Sequence, residues 1–284
     1  KNNITGHLCK NDDEIIEKMK YLYFDNLNKN YSIIYKESLK YNILDKINNL
    51  ESIIQTHISQ KNLIIITSIL NISKNKLSYY HIRSVFDIYE RYEQTLKTIN
   101  SIKKHIPNCF ILFCECSDLS NYNDIQENIE QNVDQFLNYN NNLSVKNEVN
   151  SQYKGSGENS ILLEAIKYVN NKNLIFDNVF KISGRYYLND DFDFKLYNNN
   201  YNQFTLWDNN FNSYASLFYK IKFKYLNLLQ TCFVYFIDKL KNGEALEILL
   251  NKYFNLYMNY QNITILDKMN ISGNLSTEGY FFTI

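Results

Sequence analysis

The sequence predicts an α/β fold: a Rossmann-like, mostly parallel sheet with a helical N-terminal extension and further helices late in the chain. Three observations predict it. Residues 63–70 and 109–114 are short, continuous apolar runs, the pattern of strands buried on both faces. Between them Ile88, Tyr92, Leu96, Ile99 and Ile102 recur at helical spacing, and Pro107-Asn108 ends that stripe. A second helical stripe (Ile161, Leu162, Ala165, Ile166, Val169) then precedes a further short strand at 178–182. Strand, helix, strand, helix, strand implies right-handed crossovers and a parallel sheet.

The remaining elements follow in order. Ile15, Ile16, Met19, Leu22 and Tyr23 form one amphipathic stripe, and Ile43, Leu44, Ile47, Leu50 and Ile54 another, so residues 1–60 read as a helical extension. Residues 61–284 read as one α/β domain. Within it, 119–137 is polar with helical character. Residues 203–207 and 215–221 read as strands, 222–239 and 244–257 as helices, and 263–269 and 280–284 as strands again.

Composition excludes several classes of function. The 284 residues carry 30 Lys+Arg against 30 Asp+Glu, and a net charge of zero argues against a nucleic-acid binder, which needs a basic face. The longest apolar stretch free of charge, 225–237, lies between Lys224 and Asp238 and is too short to cross a bilayer, so no transmembrane segment is expected. Lys1 with Asp12, Asp13 and Glu14 are the wrong flanks for a signal peptide, and the missing initiator Met suggests a fragment. Five thinly spread cysteines favour a reducing compartment. The expected location is therefore cytoplasmic (host cytoplasm or virion if the source is viral). Cys114 and Cys116 share one strand face without further ligands at zinc spacing, so they read as buried thiols. Oligomeric state leaves no signal.

Asn fills about one position in six, and Lys, Ile and Tyr are heavy too, the mark of an AT-rich coding sequence. Against that drift only three arginines persist (Arg83, Arg91, Arg185), with seven glycines and the single Pro107. Arginine persists where a planar, bidentate fork is needed, and glycine where φ is positive or something approaches the backbone closely.

In an open parallel sheet, ligands sit beyond the carboxyl ends of the strands. Thr67 and Ser68 end the first strand, Glu115 the second, and Ser183, Gly184 and Arg185 the third, with Arg83 to Arg91 after the first strand. Lys154-Gly155-Ser156-Gly157-Glu158 opens a helix; it reads as an anion seat or as a plain tight turn. Asp190, Asp191 and Asp193 read as oxygen ligands for a hard cation or as a solvated acidic turn. Glu244 and Glu247 start a late helix, as capping or solvated acids or as proton acceptors. The four histidines show no mutual spacing; no nucleophile elbow, metalloprotease or kinase motif is present.

Taken in order, Ile65-Ile66-Thr67-Ser68, the stretch from Arg91 to Ile102, Pro107-Asn108 and Leu112-Phe113-Cys114-Glu115 resemble the opening of a GT-A-type glycosyltransferase. The nearest likeness is to WavE-like and viral glycosyltransferase-like proteins of surface-glycan clusters, over residues 63–255. The resemblance implies a nucleotide-sugar donor and a glycan or protein acceptor. On it, Thr67 and Ser68 line the nucleotide end, Arg91 orients the loop or base pocket, and Glu115 joins the donor site. Lys154, with Gly155 and Gly157, and Arg185, with Ser183 and Gly184, face the diphosphate, and Glu244 or Glu247 deprotonates the acceptor. Where such enzymes usually carry Asp-x-Asp, this chain has Ser183-Gly184-Arg185. Either Arg185 replaces the charge of Mn²⁺ or Mg²⁺, or Asp190, Asp191 or Asp193 holds a displaced metal, or sugar transfer has been lost. The preferred expectation is a metal-independent transferase; the alternative is a non-catalytic glycan- or nucleotide-binding module on the same fold.

Overall fold

The computed structural model divides the chain into two units, Lys1–Ser59 and Gln60–Ile284, and describes residues 60–208, 212–257 and 262–284. The expected helical extension lies, Gln60 apart, outside the described residues.

The second unit is built around β1 (Asn62–Ser68), which pairs in parallel with β2 (Cys109–Glu115) on one side and β4 (Asn178–Ser183) on the other. β3 (Gln135–Asn138) adds in parallel beyond β2. Beyond β4 comes β9 (Phe218–Lys222), antiparallel to both its neighbours, then β6 (Asn202–Phe204) and β10 (Ile263–Ile265), parallel to each other. The seven-stranded order is β10-β6-β9-β4-β1-β2-β3. The sheet is α/β and mostly parallel, as the sequence predicts. The chain winds outward from β1 through β2 to β3 and then returns to β4, so the order reverses between β1 and β4. At such a switch point a crevice opens beyond the carboxyl ends.

Every residue of β1 is buried. Leu63 and Ile65 enter one core, and Ile64 and Ile66 the other. Each of these four side chains contributes about 1.5–3 kcal/mol on leaving water. The Ile64 face is covered by α1 (Ile88–His105) and α2 (Asn123–Asn132). The Leu63 face is covered by α3 (Leu143–Val149), α4 (Lys154–Asn171), α5 (Leu226–Lys241) and α6 (Leu246–Tyr257). Asp87 and Glu90 start α1 with a reciprocal capping box, both bonds 2.9 Å long. The helix stops at Ile106, because a residue before proline disfavours the helical region. That start places Arg91 in the first turn, at the carboxyl edge of the sheet.

Several elements differ from expectation. Residues 119–137 hold α2 and then the strand β3, whose four half-buried residues lack an apolar run. The strand expected at 203–207 breaks at Thr205, whose carbonyl accepts the Ala215 N–H, leaving β6 and β7 (Leu206–Asp208). The one expected at 215–221 is β8 (Ser213–Tyr214), paired with β7, and then β9. The helix expected from 222 begins at Leu226, and the one expected from 244 begins at Leu246. β10 is shorter than the run at 263–269. A second sheet of β12 (Phe281–Thr283), β11 (Ile271–Asn274) and β5 (Tyr186–Leu188) is antiparallel, and only β12 was legible as a strand.

That small sheet fixes the turn after β4. A Cβ on Gly273 would come within 2.4 Å of the Tyr186 ring and 2.7 Å of the Arg185 carbonyl oxygen. Glycine is therefore required where β11 crosses the Arg185 turn. Gly273→Ala is expected to lower stability by about 1–3 kcal/mol through overpacking. Urea denaturation measures it; an unchanged midpoint would show that the turn yields freely.

Candidate functional site

One cleft opens at the carboxyl ends of β1 and β4, with Thr67, Ser68, Ser183 and Gly184 on its floor. Counted out to open solvent, it encloses about 730 Å³. The turn beneath it is tied twice: the Gly184 N–H donates to the Thr67 carbonyl at 2.9 Å, and the Thr95 hydroxyl to the Gly184 carbonyl at 2.9 Å. Ile69, Ile72, Leu77, Val149 and Ile161 give the cleft apolar lining. The lining is also cationic: all three arginines of the chain belong to it, together with Lys154.

The three arginines differ in what they have left to offer. Arg83 is a staple, donating to the carbonyl oxygens of Asn75 (3.0 Å), Val149 (3.0 Å) and Ser151. It binds the loop after β1 to the junction of α3 and α4. Arg91 is 6% exposed and donates from Nε to the Ile69 carbonyl at 2.8 Å and from Nη1 to Ser84 Oγ at 3.3 Å. Its Nη2 has no hydrogen-bond partner among the described residues. Arg185 makes one long bond to the Asn274 carbonyl, at 3.3 Å, and lies 5.2 Å from the centre of the Tyr186 ring. Two guanidinium groups thus retain donors at the cleft, in the fork geometry that matches carboxylate or phosphate oxygens.

The cations repel one another. Burial first, and then the facing Arg185, lower the Arg91 pKa to about 9, with Glu115 pulling the other way. Crowding by protein, followed by Arg185, lowers Lys154 to about 7, with Glu158 opposing, although the residue stays open to solvent at the mouth. Lys154 begins α4, whose N-cap Tyr153 gives no side-chain cap, so the positive end of the helix dipole adds to the same field.

Among the described residues, Glu158 is the one carboxylate lining the cleft. Its Oε1 is paired with Lys181 Nζ, which is 1% exposed and also donates to Ser183 Oγ at 2.8 Å and to the Ser216 carbonyl. Burial depresses the Lys181 pKa, and Glu158 opposes that. From sequence Glu158 figures only as the end of the 154–158 segment, and Lys181 has no role. The available signal was Lys181 itself: a lysine between Phe180 and Ile182 in a buried strand needs hydrogen-bond acceptors, and an acid is one way to supply them.

Of the residues proposed from sequence, Thr67, Ser68, Arg91, Lys154, Ser183, Gly184 and Arg185 meet in this cleft. The others lie elsewhere. Gly155 and Gly157 serve packing: a Cβ would meet Leu246 Cβ at 3.1 Å from the first and Val149 Cα at 2.7 Å from the second. Glu115 is fully buried and accepts from Leu70 N–H (3.1 Å), Cys116 N–H (2.9 Å) and Ser117 Oγ (2.7 Å), anchoring the loops after β1 and β2. Burial raises its pKa, and those bonds resist the rise. Glu247 accepts from Ser216 Oγ at 2.7 Å; its charge acts on Lys154, Lys181 and Tyr79, so it stands beside the cleft without lining it. Glu244 faces solvent beside Lys239, 3.4 Å away. Gly243 before it has φ 89°, a backbone conformation that closes α5 and that glycine adopts without strain.

Asp190, Asp191 and Asp193 are exposed and lie at the opposite end of α1. Asp190 pairs with Lys104 at 2.7 Å, Asp193 Oδ1 accepts the Lys195 N–H at 2.9 Å, and the Asp191 carbonyl accepts from Asn270 at 2.9 Å. The thirteen steps from Arg91 to Lys104 span roughly 20 Å of helix. No group of three His, Cys, Asp or Glu among the described residues is placed to hold a metal ion. No described helix is long and apolar enough to cross a membrane. No protein-family model matches the chain, and no curated protein matches it.

Because Lys154 must be protonated to attract an anion, affinity for sulfate, which does not titrate near neutrality, is expected to fall as pH rises through about 7. An ordinary lysine would hold its charge to about 10. Calorimetric titration of wild type and Lys154→Met checks this: a slope in wild type that the variant lacks is the expected result, and parallel curves would remove Lys154 from the site.

Proposed function

We propose that the chain is a nucleotide-sugar-dependent glycosyltransferase whose donor diphosphate is held by arginine and lysine side chains. The observation that carries this reading is that all three arginines, scarce in so AT-biased a composition, and Lys154 line one cleft at the switch point of the sheet. A diphosphate leaving group needs negative charge stabilised as its bond to the sugar breaks, and preorganised cations in a partly dry cleft supply that.

Arg91 and Arg185 are the anion-facing forks, with Lys154 and the uncapped start of α4 completing the seat. Thr67, Ser68 and the apolar lining residues take the nucleoside. The donor set here does not suit a divalent cation, since the turn after β4 brings Arg185 where a metal would need carboxylate oxygens. The second reading is a binding module on the same fold. It is favoured by the pairing of Glu158, the one cleft carboxylate among the described residues, with Lys181.

A thermal-shift panel of UDP-, GDP-, CMP- and dTDP-sugars, with and without Mn²⁺, tests the reading. A donor at about 100 times its Kd adds about 2.7 kcal/mol of apparent stability. One donor class is expected to stabilise the wild type without Mn²⁺, and Arg91→Met to abolish the shift. A shift seen only with Mn²⁺ would refute charge replacement, and no shift with any donor would refute the transferase.

A further inference from the structure

Proton transfer in this cleft needs an acceptor other than Glu244 and Glu247, neither of which lines it. We infer that Glu158 is the catalytic base of the transfer and that buried Lys181 is its positioning residue. The inference rests on the transferase reading.

Three observations support it. Glu158 is the one carboxylate lining the cleft among the described residues, whereas Glu247 is bonded to Ser216 and stands behind the lining. Glu158 uses Oε1 for Lys181, and Oε2 has no partner among the described residues, on a side chain 19% exposed. Lys181 spends its three donors on Glu158, Ser183 and Ser216, so it can hold the carboxylate in one orientation and has none left for substrate. Lys181 offsets the charge of Glu158 beside the phosphate seat, which leaves Oε2 as a hydrogen-bond acceptor, and the group we place against it is the acceptor hydroxyl. In transfer, the acceptor oxygen bonds to the anomeric carbon, the bond from that carbon to the phosphate oxygen breaks, the nucleoside diphosphate leaves with the electron pair, and the hydroxyl proton passes to Glu158 Oε2. With water as acceptor, the same step releases free sugar.

The test uses the full chain and the donor that stabilises it most among UDP-glucose, UDP-galactose, UDP-N-acetylglucosamine and GDP-mannose, following release of nucleoside diphosphate. Glu158→Gln removes the base; Glu158→Asp keeps the charge for Lys181 but draws the carboxylate back, so it is the variant expected to fold in any case. A displacement of about 1 Å can cost about 100-fold. Both variants are expected to keep the donor-induced shift and a KM within about threefold of wild type, while kcat falls about 100-fold or more. Lys181→Met is expected to lower kcat at unchanged KM as well, and Glu247→Gln to leave kcat within about threefold. Turnover persisting in both Glu158 variants would overturn the inference alone, as would its loss in Glu247→Gln instead. Loss of the donor shift together with turnover in Glu158→Asp would make Glu158 a binding group and overturn the catalytic role. A wild type that shows no shift, or a shift without turnover, would overturn the transferase reading and this inference with it.

Discussion

Like charges gathered against low-dielectric walls repel, and the fold holds Arg91, Lys154 and Arg185 together despite that repulsion. Each is fixed by a different part of the molecule. The capping box sets the first turn of α1 and the Ile69 carbonyl aims Arg91. The β4–β5 turn, pressed by Gly273, carries Arg185. Lys154 opens α4, whose two glycines let it wedge between Val149 and Leu246. The loop that roofs the cleft is held by Arg83 on one side and by Glu115 on the other.

A cluster of this kind is destabilising until an anion arrives, and the surrounding bonds absorb that strain. Glu158 and Lys181 show the complementary device. Their charges cancel within the core, so the cleft keeps one carboxylate edge without losing its positive field. The scarcity of arginine gains a physical meaning here: one arginine is spent on three carbonyl oxygens that lysine could not bridge in a planar fork, and two keep free donors at the cleft.

The central strands and their crossover helices were legible because β1, β2, α1, α4 and β4 are long enough to show apolar runs, broken in β4 by Lys181, or helical periodicity. The three- and four-residue strands β3, β5 and β11 were not, since what defines them is pairing with chain far away in sequence. The cleft was legible from topology, because ends of parallel strands converge, and from residues that resist compositional drift. Glu115 misled because a carboxylate at a strand end can turn inward to gather loop N–H groups as readily as outward. The aspartates misled because the chain doubles back after Arg185, so five residues on it has returned to the far end of α1. The pairing of Lys181 with Glu158 was not legible because no local pattern links residues 23 positions apart.

The most direct test of the charge cluster needs no ligand. Urea denaturation of wild type and Arg185→Met, at low and at high salt, compares the stability of the empty cleft. If the three cations are held against mutual repulsion, Arg185→Met is at least as stable as wild type at low salt, and added salt stabilises wild type more than the variant. A variant less stable than wild type by more than about 1 kcal/mol at both salt concentrations would show that Arg185 is an ordinary structural contact, and would contradict an anion seat at this edge of the sheet.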